Sequence, residues 1–90
     1  MKLDQAGIVE HLKGTPLWHR EGDLIRRKLE FADFKKAMQF VNKVADLAEA
    51  ANHHPDITIN WNKVTLTLST HSEDGLTEKD FALAQQIDSI

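Results

Sequence analysis

Cysteine is absent from this 90-residue chain, which excludes disulfides, thiolate zinc sites and cysteine nucleophiles. No apolar run is long enough to cross a membrane. The opening Met1-Lys2-Leu3-Asp4-Gln5 lacks the apolar core of a signal peptide, so a cytoplasmic address is expected. Neither sign of charge dominates. Eleven basic against 14 acidic residues leave a net charge of −3 and a pI near 5.9, which argues against direct nucleic-acid binding. Low-complexity segments, linkers and long internal repeats are missing, as are a Gly-rich phosphate loop, a Gly-x-Ser-x-Gly elbow and a His-Glu-x-x-His motif.

What remains is an ordinary globular composition, 41% hydrophobic and 28% charged, sufficient for one domain over residues 1–90. A chain this short builds only a modest core, and small domains without disulfides often add stability by oligomerising.

Hydrophobic spacing sets the element order. Asp4 to about Lys13 reads as a short helix with Ile8, Val9 and Leu12 on one side, ended by Gly14 and Pro16. Leu17-Trp18-His19-Arg20 reads as a short strand, followed by the turn Glu21-Gly22-Asp23. From Leu24 to Phe31, Ile25, Leu29 and Phe31 share a face opposite Arg26, Lys28 and Glu30, with Arg27 breaking the apolar side. The basic run Arg26-Arg27-Lys28 therefore divides between faces and forms no continuous patch. Asp33 is placed to cap a helix whose apolar stripe is Phe34, Ala37, Met38, Val41, Ala45 and Ala48. That helix is expected to end near Ala51, ahead of Pro55.

Ile57, Ile59 and Trp61 alternate with Thr58 and Asn60, and Val64, Leu66 and Leu68 alternate with Thr65, Thr67 and Ser69. They predict a hairpin turning around Asn62-Lys63, with Trp61 buried in phase. After a turn at Ser72–Gly75, Thr77 and Asp80 have capping-box spacing, and Leu76 can staple against Phe81 at the start of the last helix. The order is α-β-β-α-β-β-α. It implies an α+β fold with a four-stranded antiparallel sheet and three helices on one face. Exposed sheet edges make a homo-oligomer the expectation, through edge pairing or helix packing.

Three of the five histidines gather where these elements meet. His53 and His54 follow the long helix, whose C-terminal dipole favours an imidazolium, and either could be no more than a polar helix end. His71 by itself reads as a strand-end surface residue. Together they change the reading. In one sheet, the loop before Ile57 and the loop after Thr70 lie at the same end of adjacent antiparallel strands, which brings His53 or His54 towards His71. Glu49, one helical turn before His53, is placed to orient an imidazole. Asp80 can serve as a cap or as a partner in this cluster. A three-histidine metal site is the lesser reading without a dedicated motif, and acid–base chemistry on a small substrate is the greater one. Trp18 and Trp61 read as packing residues near which a flat aromatic ligand could lie.

Glu49-Ala50-Ala51-Asn52-His53-His54-Pro55, Trp61 and Val64, Leu68-Ser69-Thr70-His71, then Gly75-Leu76-Thr77 and Asp80 resemble the pterin-4a-carbinolamine dehydratases. The similarity runs from about Trp18 to Asp88. It implies dehydration of 4a-hydroxytetrahydropterin to quinonoid dihydropterin, without metal or organic cofactor, for an aromatic amino acid hydroxylase. By resemblance, His53 and His71 are the acid–base pair and His54 contacts the pterin. Glu49, Pro55, Trp61 and Asp80 support them. The family's fold agrees with the element order, and its homodimers and homotetramers agree with the expected oligomer. Two positions depart from the pattern: Ile57 stands where many members have tryptophan, and Asn52 where an acidic residue is common. The alternative is a non-catalytic protein-binding or dimerisation cofactor on the same scaffold.

Overall fold

The computed structural model describes residues 1–90. Its elements are α1 (Gln5–Leu12), β1 (His19–Glu21), β2 (Leu24–Glu30), α2 (Phe34–Ala51), β3 (Asp56–Asn60), β4 (Lys63–Leu68), a 3₁₀ turn (His71–Glu73) and α3 (Glu78–Asp88). The four strands form one antiparallel sheet in the order β1-β2-β4-β3, so β4 is central and β1 and β3 are its edges.

Capping chemistry sets the helix starts. Asp4 accepts a bond from the Gly7 N–H and Asp33 from the Lys36 N–H, each at 2.8 Å, satisfying donors that a helix leaves free at its first turn. Thr77 and Asp80 close a capping box on α3, and Leu76 and Phe81, both buried, form the staple beside it.

Strand register separates the two sheet faces. Ile25 with Leu68, Leu29 with Val64, and Leu66 with Ile57 lie on the helix side. Ile25, Val64, Leu66 and Leu68 are fully buried there against Val44, Ala48, Phe81, Leu83 and Ile87. Burying such side chains contributes roughly 1.5–3 kcal/mol each. Arg26, Lys28, Thr65 and Thr58 lie on the opposite, solvated face, where Arg26 pairs with Glu21 at 2.6 Å.

Arg27 does fall on the core side, opposite Leu66. Its charge is met by Asp88 at the end of α3, at 2.6 Å, and the same carboxylate oxygen accepts the Trp18 indole N–H at 2.9 Å. Trp18 is thereby held in the core rather than in a strand, and β1 begins one residue later, at His19.

The β3–β4 hairpin turns one residue earlier than the alternation suggested. Asn60 pairs with Lys63, leaving Trp61-Asn62 as the two-residue turn. Asn62 takes the buried place, donating its side-chain amide to the Phe31 carbonyl at 2.8 Å. Trp61 is pushed out with a left-handed φ of 54° and 64% exposure. Its expected burial is therefore wrong, because a residue in the turn no longer follows the pleat of the strand.

Asp88→Ala is expected to lower stability by roughly 1–3 kcal/mol, since it leaves an indole N–H and a guanidinium without their acceptor. Asp88→Asn, which keeps an acceptor, should lose less. An unchanged urea midpoint for Asp88→Ala would show that the cluster is dispensable.

Candidate functional site

The end of α2 builds the first half of the site. Asn52 adopts a left-handed conformation, φ 51° and ψ 42°, which asparagine tolerates better than most residues. Its N–H bonds to the Glu49 carbonyl at 3.2 Å, and the His53 N–H bonds to the Ala48 carbonyl at 3.1 Å. This paired closure reverses the chain and anchors the His53 backbone to the last helical turn. Pro55 then leads directly into β3 at Asp56.

The second half comes from β4 and α3. After β4, Thr70 makes an isolated bridge to Gly75, and the intervening residues curl into a 3₁₀ turn beginning at His71. That turn places His71 on the surface instead of leaving it at a strand end. Thr77 then opens α3 and brings Asp80 beneath the loop.

The Asp80 carboxylate joins the halves. It is fully buried, yet both oxygens are occupied. Oδ2 accepts the Thr77 N–H and the Thr70 hydroxyl, each at 2.9 Å, while Oδ1 lies 2.6 Å from His53 Nε2. The direction of the chain follows from counting hydrogens. Thr70 spends its hydroxyl hydrogen on Asp80, so at their 2.8 Å contact the Thr77 hydroxyl donates to Thr70. The Lys79 N–H in turn donates to Thr77 Oγ1 at 3.3 Å. A carboxylate only accepts, so His53 carries its hydrogen on Nε2, and Nδ1 is left without a protein partner.

Each residue of the predicted cluster can now be placed. His53, Thr70 and Asp80 meet directly, and His71 follows Thr70 at the same end of the sheet. Glu49 braces His54, at 2.5 Å, and not His53. The reason is the left-handed Asn52, which turns the chain so that the second histidine folds back over the helix. Asp80 combines the two roles that its sequence position left open, one oxygen capping α3 and the other holding His53. Trp61 lies at the far end of β3, about 17 Å away along a five-residue strand. Thr70 and Thr77 were not singled out as members of the network. Their signal is a Thr-x6-Thr-x2-Asp spacing, which becomes readable only when the bridge to Gly75 is known. No group of three or more His, Asp or Glu side chains converges in a metal-binding arrangement.

The fold and this geometry define a class: a helix-on-sheet domain with an imidazole held by a buried, doubly capped carboxylate. The family model described as "Pterin 4 alpha carbinolamine dehydratase" matches residues 1–90. A protein of Thermomicrobium roseum, provisionally named a pterin-4-alpha-carbinolamine dehydratase, is 51% identical over 86 residues, covering 96% of this chain and 92% of that protein. One of Roseiflexus castenholzii, with the same provisional name, is 54% identical over 88 residues, covering 98% and 95%. Among solved structures, the transcriptional coactivator/pterin dehydratase of Brucella melitensis superposes with a TM-score of 0.94 at 33% identity, covering 99% of this chain and 97% of that one. A pterin dehydratase-like RuBisCO assembly factor of the alpha-carboxysome shares the fold, with a TM-score of 0.65 at 20% identity over 80% of this chain and 83% of that one. This chain belongs to the pterin-4a-carbinolamine dehydratase family.

Thr70→Val is expected to destabilise the protein by roughly 1–3 kcal/mol, because it leaves the Thr77 hydroxyl and one Asp80 acceptor site unpaired in the interior. Thr70→Ser should be close to wild type. Equal thermal midpoints for Thr70→Val and Thr70→Ser would show that the directed chain contributes nothing to stability.

Proposed function

We propose that this chain dehydrates 4a-hydroxytetrahydropterin to quinonoid dihydropterin, with His53 and His71 as the proton-transfer pair. The observation that carries this reading is the His53–Asp80 bond, which leaves Nδ1 as an unpartnered lone pair on an oriented ring. Elimination requires a proton on the departing hydroxyl and removal of one from the neighbouring ring nitrogen. The carbon–oxygen bond then breaks towards oxygen, water leaves, and the nitrogen lone pair forms the new double bond. No electrons are exchanged with a cofactor.

The two imidazoles differ in support. His53, oriented by the hydrogen bond from Nε2 to the Asp80 carboxylate, suits removal of the ring-nitrogen proton at Nδ1. His71, exposed and without a side-chain partner, suits delivery of a proton to the leaving hydroxyl. His54, braced by Glu49, contacts the pterin and positions it, while Pro55 holds the loop that presents both histidines. The client that the family resemblance implies is an aromatic amino acid hydroxylase, which consumes the reduced pterin. A protein-binding role on the same scaffold is the second reading, supported by the double description of the Brucella melitensis structure.

His53→Ala and His71→Ala are each expected to lower kcat for dehydration by roughly 10²-fold or more, with circular dichroism and thermal midpoint close to wild type. His54→Ala should raise KM more than it lowers kcat. Stopped-flow dehydration rates decide this, and wild-type rates in both His53→Ala and His71→Ala would sink the acid–base assignment.

A further inference from the structure

His71 is the less supported member of the histidine pair. His53 is gripped by Asp80, whereas the 3₁₀ turn that begins at His71 is exposed from residue 71 to residue 74. Within the turn, the Glu73 N–H bonds to the Thr70 carbonyl at 3.0 Å and the Asp74 N–H to the His71 carbonyl at 3.2 Å. Those bonds fix the shape of the turn and not its place. An open cavity of about 700 Å³, with Thr70, Ser72 and Thr77 on its wall, lies between residues 1–4 and the start of α3. Core packing therefore does not hold the turn on that side.

Its place is set at its two ends. At the entry, the Thr70 hydroxyl donates to Asp80 at 2.9 Å, so the carboxylate that orients His53 also ties down the residue before His71. At the exit stands Gly75, which is buried but has no side chain to send into the core. Lys2 covers it. A Cβ built on Gly75 would lie 2.7, 3.1 and 3.2 Å from Lys2 Cε, Cδ and Cγ. Lys2 thus lays its stem along the Gly75 backbone while the residue as a whole stays exposed, the way a lysine covers protein surface with its ammonium in water. The arm that delivers this stem is itself fixed. The Leu3 N–H donates to the Leu76 carbonyl at 2.8 Å, the Leu3 side chain packs against the core, and Asp4 caps α1.

We infer that Lys2 is a positioning residue, whose stem clamps the exit of the turn and so sets where His71 stands relative to His53. It acts through methylene contact, and its charge plays no part. A proton donor must reach the leaving oxygen within hydrogen-bond distance, and a misplacement of about 1 Å costs up to roughly 10²-fold in rate. The effect on dehydration rests on the preceding section; the clamp itself does not.

Lys2→Ser removes the stem and is expected to lower kcat for dehydration about tenfold, with KM within about twofold of wild type. Lys2→Met, which keeps an unbranched stem without the charge, should retain wild-type kcat. Gly75→Ala probes the contact from the other side. Gly75 is not in the left-handed region, so alanine suits its backbone, and the nearest atoms its methyl meets are those of the Lys2 stem. This variant should lower kcat to a similar degree, and it should add nothing in the Lys2→Ser background. The ring-proton NMR signal of His71, assigned by its loss in His71→Ala, should shift in Lys2→Ser and in Gly75→Ala but not in Lys2→Met. The His53 signal should stay in place in all three. A general loosening of the fold would lower the thermal midpoint without producing this pattern. Three results overturn the inference: wild-type kcat with an unmoved His71 signal in Lys2→Ser, a Lys2→Met as impaired as Lys2→Ser, or additive effects of Lys2→Ser and Gly75→Ala. Should His71→Ala dehydrate the pterin at the wild-type rate, the acid–base reading fails, while the NMR pattern, which needs no substrate, still upholds the clamp.

Discussion

A buried carboxylate organises this protein. Removing a charged group from water is expensive unless hydrogen bonds replace the lost solvation, and Asp80 has three donors around it. Two of them, the Thr77 N–H and the Thr70 hydroxyl, belong to the fold: they start α3 and tie it to the end of β4. The third, His53 Nε2, belongs to the site. The same bonds that make burial of Asp80 tolerable thus determine which nitrogen of His53 stays free. Stability and the orientation of the His53 ring share one side chain, and neither can be altered there alone.

Most of the architecture was legible because each element carries its own punctuation. Asp33 and Thr77 cap where helices begin, Pro55 lies just past the end of α2, and period-two alternation marks β2 and β4. The shortcomings occur where a residue is governed by distant partners. Trp18 looked like part of a strand, but its indole N–H is claimed by Asp88, 70 positions away. Trp61 continued the alternation of β3 on paper, yet the two-residue turn removed it from the pleat and gave the buried place to Asn62. Arg27, an interruption when read locally, is the ionic partner of Asp88 once α3 docks.

The departures at Asn52 and Ile57 acquire a physical meaning. Asn52 occupies the left-handed closure of α2, where an amide side chain is well tolerated, so it shapes the loop through its backbone. Ile57 lies half-buried on the helix side of an edge strand, level with Leu66. A change of size there bears on how that edge strand packs against the helix layer.

The sequence by itself determined the secondary structure, the side of the sheet that is apolar and the set of residues able to carry chemistry, because periodicity, capping and side-chain pKa are local properties. It also brought His53, His54 and His71 to one end of the sheet, since antiparallel pairing of neighbouring strands leaves little choice. Only the tertiary structure decided who holds whom. Glu49 is nearer His53 in sequence but braces His54, and Asp80, 27 positions further on, takes His53. Those partnerships depend on a left-handed turn at Asn52 and on the docking angle of α3, which arise from packing across the chain and leave no periodic trace in it.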